Sequence, residues 1–110
     1  MRYFETRFLA EANDFLSMLD KKTVKKVLFN IDLAEHTRDP KLFKKLTADI
    51  WEFRTRVGGI QVRLLAFWDK SRKPDTLVIA THGFIKKVDK VPGREIERAR
   101  RLRNEYFENT

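Results

Sequence analysis

The sequence contains no cysteine. Disulfide scaffolds, cysteine zinc sites and thiolate nucleophiles are therefore excluded. Glycine occurs four times and proline three times in 110 residues, too few for a linker-rich or low-complexity chain. No stretch approaches the ~18 consecutive apolar residues of a membrane-spanning helix. The opening Met-Arg-Tyr-Phe-Glu-Thr-Arg-Phe is too polar for a secretory leader, so the expectation is a cytoplasmic protein without membrane association. Histidine occurs only twice. No carboxylate–histidine metal cluster can be composed from the chain, and no cofactor is expected.

What the chain has in quantity is charge. Lys and Arg number 24 against 16 Asp and Glu, a net charge of +8. Hydrophobic residues make up 42%, with nine Phe, enough for one packed core, and residues 1–110 read as a single domain. The excess is uneven. Residues 1–50 hold ten basic and eight acidic residues, and residues 51–110 hold fourteen and eight. The first half reads as scaffold, and the second as the place where a polyanion would dock. The most common such partner is nucleic acid; the plain alternative is a solvated basic surface.

Periodicity gives the elements. Arg2–Glu5 reads as a short strand and Thr6 as an N-cap. Phe8, Leu9, Ala12, Phe15, Leu16 and Leu19 form one face of an amphipathic helix. Asp20 caps a second helix whose inner face is Val24, Val27, Leu28, Ile31 and Ala34, completing a helical hairpin. Asp39-Pro40 opens one short turn through Phe43. Residues 47–56 alternate as a strand, with Trp51 and Phe53 on one side and Glu52, Arg54 and Arg56 on the other. Gly58-Gly59 is a type I′ hairpin signal, and Ile60–Trp68 is the return strand. Residues 69–75 read as a polar loop containing Pro74, and Leu77–Phe84 as another strand. Pro92 opens a final helix with Ile96, Ala99, Leu102 and Tyr106 as its buried stripe. The expected architecture is α+β, in the order β-α-α-β-β-β-α. An antiparallel sheet of about four strands packs with an N-terminal helical hairpin and a C-terminal helix.

The hairpin carries the chemistry. With Gly58 and Gly59 as its loop, Arg56 faces Gln61, Arg54 faces Arg63 and Glu52 faces Leu65, all on one side of the sheet. Opposed arginines repel by a few tenths to ~1 kcal/mol, and Glu52 gives only partial relief from its diagonal position. A concentrated positive face on rigid strands suits an RNA phosphate. Lys86, Lys87 and Lys90 follow the next strand. His82, the only histidine of the basic half, titrates near neutral pH when unperturbed and is a candidate base, although a lone strand histidine is more often structural. His36 reads as surface. Trp51 and Trp68 read as core more than as stacking platforms.

Four fragments in this order resemble phage-derived HigB-like toxins of the RelE/ParE superfamily of type II toxin–antitoxin systems. Ile50-Trp51-Glu52-Phe53-Arg54-Thr55-Arg56 with Gly58-Gly59-Ile60-Gln61-Val62-Arg63 is similar to the family hairpin "LWELR…GG-x-Q-Y-R". His82-Gly83-Phe84-Ile85-Lys86-Lys87 and Lys90-Val91-Pro92 resemble "LLH-x-F-x-K-K-x-x-K-T-P". Arg94-Glu95-Ile96-Glu97, with Ala99, resembles the "EIE-x-A" of the final helix. The resemblance spans nearly the whole chain. It implies a RelE-like fold, mRNA cleavage on the ribosome without metal, and neutralisation by a cognate HigA-like helix-turn-helix antitoxin. Carried over by position, Arg63, Arg54, Arg56, Lys86, Lys87 and Lys90 match basic positions of the family; with His82 as candidate base, the catalytic candidates are Arg63, Arg54, Lys86 and His82, and the RNA-binding ones Arg56, Lys87, Lys90 and Arg94. Val62 departs from the family, which often has Tyr there, and no C-terminal Tyr can be assigned as a base. Two further readings stay open: a ParE-like inhibitor of DNA gyrase, and a non-catalytic RNA- or ribosome-binding module.

Overall fold

Gly58 and Gly59 both take positive φ, 54° and 83°, as a type I′ turn requires. The turn sets the register of the two central strands. In the computed structural model, which describes residues 1–71 and 76–109, these are β3 (Trp51–Val57) and β4 (Ile60–Asp69). Arg56 pairs with Gln61, Arg54 with Arg63 and Glu52 with Leu65, the register expected from the turn. β4 pairs antiparallel with β5 (Leu77–Lys86). The part of the expected polar loop at residues 72–75, Pro74 included, lies outside the described residues.

The sheet has five strands, one more than expected, in the order β1-β5-β4-β3-β2. The additional strand is β2 (Phe43–Lys45), antiparallel to β3. Its three residues are too few to show an alternation. Asp39 does open a turn: its side chain accepts from the Lys41 N–H at 2.9 Å, and its carbonyl accepts from Leu42. Phe43 then enters β2 rather than completing a helical turn.

At the other edge, β1 is Glu5–Phe8, not Arg2–Glu5, and it runs parallel to β5. The sheet is therefore mixed. Thr6 lies inside the strand, and the N-cap of α1 (Ala10–Ser17) is Leu9, without a side-chain cap. Phe8 and Leu9 fit the helical spacing. Backbone pairing to β5 claims them instead, through the Phe8–Ala80 rung and the Leu9 N–H to Ala80 carbonyl bond at 3.0 Å. α2 (Lys21–Thr37) begins as expected, with the Asp20 carboxylate accepting from the Thr23 N–H at 2.8 Å. α3 (Gly93–Glu108) follows Pro92.

Helices cover both faces. α1 and α2 bury Ala12, Leu16, Val27, Ile31 and Ala34 against Phe4, Phe43, Phe53, Val62 and Leu64. α3 brings Ala99 and Ile96 against Ile50, Leu65, Phe67, Leu77 and Ile79 on the other face. Each fully buried large apolar side chain contributes about 1.5–3 kcal/mol relative to exposure. No described helix is long and apolar enough to cross a membrane.

β5 changes phase at Thr81. Leu65 pairs with His82, but the next residue of β4, Ala66, pairs with Ala80, so Thr81 is the extra residue of a β-bulge. Before it, Leu77 and Ile79 face α3; after it, Phe84 does, while Ile85 joins the opposite core. The bulge therefore puts His82, Phe84 and Lys86 on the face that carries the hairpin arginines.

Candidate functional site

Three rungs cross the sheet on that face: Arg56–Gln61–Lys86, Arg54–Arg63–Phe84 and Glu52–Leu65–His82. The first two lie toward the turn, with Phe84 at the edge of the core that α3 covers. Their β3 and β4 members line a cleft of about 570 Å³ in which Arg54, Arg56, Gln61 and Arg63 meet Lys41, while Phe84 and Lys86 line the neighbouring groove.

Glu52 is the organiser, and its reach corrects the expectation of partial relief. Its carboxylate is buried, at 4% exposure, with Oε1 3.2 Å from Arg63 Nε and Oε2 3.7 Å from Arg54 Nε. One acid thus screens both opposed arginines. Arg63 is 3% exposed, so it forms the floor of the cleft rather than its rim. Its Nη1 donates to the Val62 carbonyl at 3.1 Å and its Nη2 to Gln61 Oε1 at 2.9 Å. Burial pulls the Arg63 guanidinium below its ordinary range, Glu52 draws it back up, and Arg54 opposes that. An arginine stays cationic at neutral pH regardless.

The ion contacts leave hydrogen-bonding capacity unused. Nε of Arg54, Nε of Arg63 and Oε1 of Glu52 are buried without an aligned hydrogen-bond partner. Buried polar groups without an aligned partner are rare, so three on adjacent side chains single this cluster out.

Arg54 is half-buried and Arg56 exposed at the cleft mouth. Lys86, half-buried, carries the positive surface from Gln61 toward Lys87. Lys86 and Lys87 also line a further groove with Lys90 and Arg94, all of them except Lys86 exposed. On the other side of Arg56, the surface continues over Lys22, Lys25 and Lys26 around the exposed ring of Phe29. The expected residues Arg54, Arg56, Lys86, Lys87, Lys90 and Arg94 therefore lie along one connected cationic surface, with Arg63 buried beneath it.

His82 stands apart. It is 1% exposed and lies under the start of α3, with Nε2 3.0 Å from Glu95 Oε1 and Nδ1 3.0 Å from Thr81 Oγ1. Burial pushes its imidazole below the ordinary value, with Glu95 opposing and Arg98 adding to the effect. Both ring nitrogens are engaged, so the histidine braces sheet to helix and does not open on the cleft. Tyr106 is likewise no cleft residue: its hydroxyl donates to Asp69 Oδ2 at 2.6 Å at the far end of β4. Among the described residues, no three His, Asp or Glu side chains are placed to hold a metal ion.

Two contributors escaped the sequence. Gln61 orients Arg63, a role its polarity alone does not signal. Phe84, half-buried, stands beside Arg63 on the same face and supplies an aromatic ring where Val62 offers none. Only the bulge puts it there.

Comparison with known proteins bears on the family and the fold. The sequence profile of the family described as "Phage derived protein Gp49-like" matches residues 14–104. No curated protein sequence matches the chain. Among solved structures, the toxin–antitoxin complex RelBE2 from Mycobacterium tuberculosis contains a similar chain, with TM-score 0.55 and 20% identity, covering 78% of this chain and 100% of that one. A chain of the archaeal RelE–RelB complex from Pyrococcus horikoshii OT3 is similar with TM-score 0.51 and 16% identity, covering 76% and 94%. The fold is thus that of chains from RelE-type complexes.

Proposed function

The chain belongs to the Gp49-like family of phage-derived proteins, and from that membership and the cationic cleft we propose that it is the toxin of a type II toxin–antitoxin pair, an endoribonuclease that cleaves mRNA on the ribosome. The observation that carries the reading is the Arg54–Arg63 rung, held by the buried Glu52 and flanked by Arg56 and Lys86.

RNA cleavage through the 2′-OH passes through a phosphorane that gains negative charge. Fixed cations aimed at that charge lower the barrier, and removal of one such donor typically costs 10²–10³ in rate. Arg54 and Arg56, on the accessible side of the cleft, take the direct contact with the scissile phosphate. Arg63 adds positive potential from the floor and, with Glu52, fixes where Arg54 points. As the 2′-O–P bond forms and the P–O5′ bond breaks, water takes the 2′-OH proton and Lys86 gives one to the leaving 5′ oxygen; Lys87, Lys90 and Arg94 hold flanking phosphates, and Phe84 stacks on a base. Catalysis then rests on charge stabilisation and in-line positioning. The partner is an antitoxin of the HigA-like helix-turn-helix kind, which neutralises the toxin.

One observation favours a second reading. The burial of His82 leaves the cleft without an imidazole, and a face of arginines and lysines can also inhibit by binding alone, to the ribosome or, as in ParE-like toxins, to gyrase. The experiment is a cleavage assay on ribosomes programmed with mRNA, using wild type and Arg54→Ala. Cuts at defined codons that vanish in the variant support the nuclease. Translation arrest with intact mRNA would replace it with the binding reading, and arrest of supercoiling in a parallel gyrase assay with the gyrase one.

A further inference from the structure

A second concave site lies at the opposite end of the central strands from the Gly58-Gly59 turn. It is a bowl of about 710 Å³, within the usual ~300–1,000 Å³ of small-ligand sites. Trp51, at the start of β3, and Trp68, near the end of β4, both line it. They are the only two tryptophans of the chain. Both are half-buried, so each still presents surface. Their backs are fixed: Trp51 stacks on Phe43 at 4.9 Å, and Trp68 meets Phe4 edge-on at 5.5 Å and Trp51 at 6.0 Å. A rigid aromatic platform is the element that base stacking needs.

The rim is cationic. Arg38, Lys45 and Arg103 line the bowl, and none has a carboxylate partner among the described residues. The single acid there, Asp49, is already engaged by Arg100 at 3.4 Å and by the Thr47 hydroxyl at 2.8 Å. Arg38 is the one described non-glycine residue with positive φ, 56°. It is the left-handed residue that ends α2, its N–H donating to the Ala34 carbonyl at 2.8 Å. The turn it makes sets its guanidinium 5.7 Å from the Tyr3 ring centre, at the edge of the same bowl.

We infer that this bowl is a second nucleic-acid site, in which one or two bases of a single-stranded RNA stack on the Trp51–Trp68 platform while their phosphates meet Arg38, Lys45 and Arg103. It is separate from the cleavage cleft: Trp51 lies about 10 Å along β3 from Arg54 at ~3.3 Å per residue, on the other face of the sheet. Its occupancy does not depend on whether the cleft cuts.

Because every tryptophan of the chain lines the bowl, intrinsic fluorescence reports on it directly. The full-length protein is titrated with a 2′-O-methyl hexanucleotide, which has no free 2′-OH to react. The expected result is saturable quenching with a midpoint at least tenfold weaker in Lys45→Glu/Arg103→Glu, Lys45 being exposed and Arg103 half-buried, and a melt of the double variant checks that it stays folded. Arg56→Glu, at the cleft, should shift the midpoint by less than about twofold. Equal quenching in the double variant overturns the inference, as does loss of quenching in Arg56→Glu. An abasic oligomer that quenches as strongly as the hexanucleotide overturns the stacking. Oligo-glutamate that quenches while RNA does not would assign the bowl to an acidic protein segment instead.

Discussion

Glu52 stands between Arg63 and Arg54, its two carboxylate oxygens 3.2 Å and 3.7 Å from their Nε atoms. One buried acid therefore allows two arginines to face each other across β3 and β4. Removing one member of a buried ion group leaves the others uncompensated, which typically costs about 3–5 kcal/mol. Glu52→Gln should lower unfolding stability by about 3 kcal/mol in urea titration. A loss below about 1 kcal/mol would mean that the arginines need no acid between them.

The same geometry separates Arg54 from Arg63. Arg54 is accessible and Arg63 is floor, so their alanine variants should fail differently. Arg54→Ala should keep its stability within about 1 kcal/mol and lose 10²–10³ in cleavage. Arg63→Ala strands the Glu52 carboxylate and should destabilise the fold by about 2 kcal/mol or more as well as lower activity. Paired urea melts and ribosome cleavage assays check this. Equal stability of the two variants would contradict the placement of Arg63.

Much of this arrangement was legible, and the gaps have physical causes. The Gly-Gly turn dictated the register of β3 and β4, because type I′ geometry and strand alternation leave no other pairing. Asp20 and Pro92 marked the starts of α2 and α3 for the reasons that cap residues do. β1 was misplaced because Phe8 and Leu9 satisfy a helical spacing and a strand edge equally, and a long-range parallel pairing decided between them. β2 was missed because three residues carry no period. Burial of Arg63 was invisible, since charge predicts exposure unless a buried partner is known, and Glu52 reaches it only through the twist and packing of the sheet.

His82 makes stability depend on pH. Burial holds its imidazole below the ordinary value, with Glu95 and Glu11 pulling it up and Arg98 pushing it down. The unfolded chain, with a histidine pKa near ~6.5, then binds a proton more readily than the folded one. Stability from this group is present above about pH 6.5 and is lost as pH falls below it. Thermal melts should show this decline in wild type and a flatter profile in His82→Gln. Unchanged slopes between pH 7 and 5 would remove His82 as the cause.

Gly83 is required by contact and not by backbone conformation. A Cβ at this position would overlap the Phe15 ring of α1. The ring is half-buried against the core and has little room to yield. Gly83→Ala should destabilise by about 1–3 kcal/mol, the usual range for overpacking. Gly93, with nothing within 4 Å of the same position, is the internal control and should accept alanine without such a clash. Equal melting temperatures for the two variants would show that α1 moves aside.

The bulge at Thr81 makes β5 a strand read in two frames. Leu77 and Ile79 belong to the first, and His82, Phe84 and Lys86 to the second, and one inserted residue is the whole difference between them. The aromatic ring and the lysine next to the hairpin arginines are thus specified by spacing as much as by identity. Pairing Thr81 regularly, with no bulge, would keep every proposed contact residue in the chain and send Phe84 and Lys86 to the far side of the sheet, whereas deleting Thr81 would leave them beside the arginines. The composition of the cleft is written in its side chains, and its assembly is written in a count.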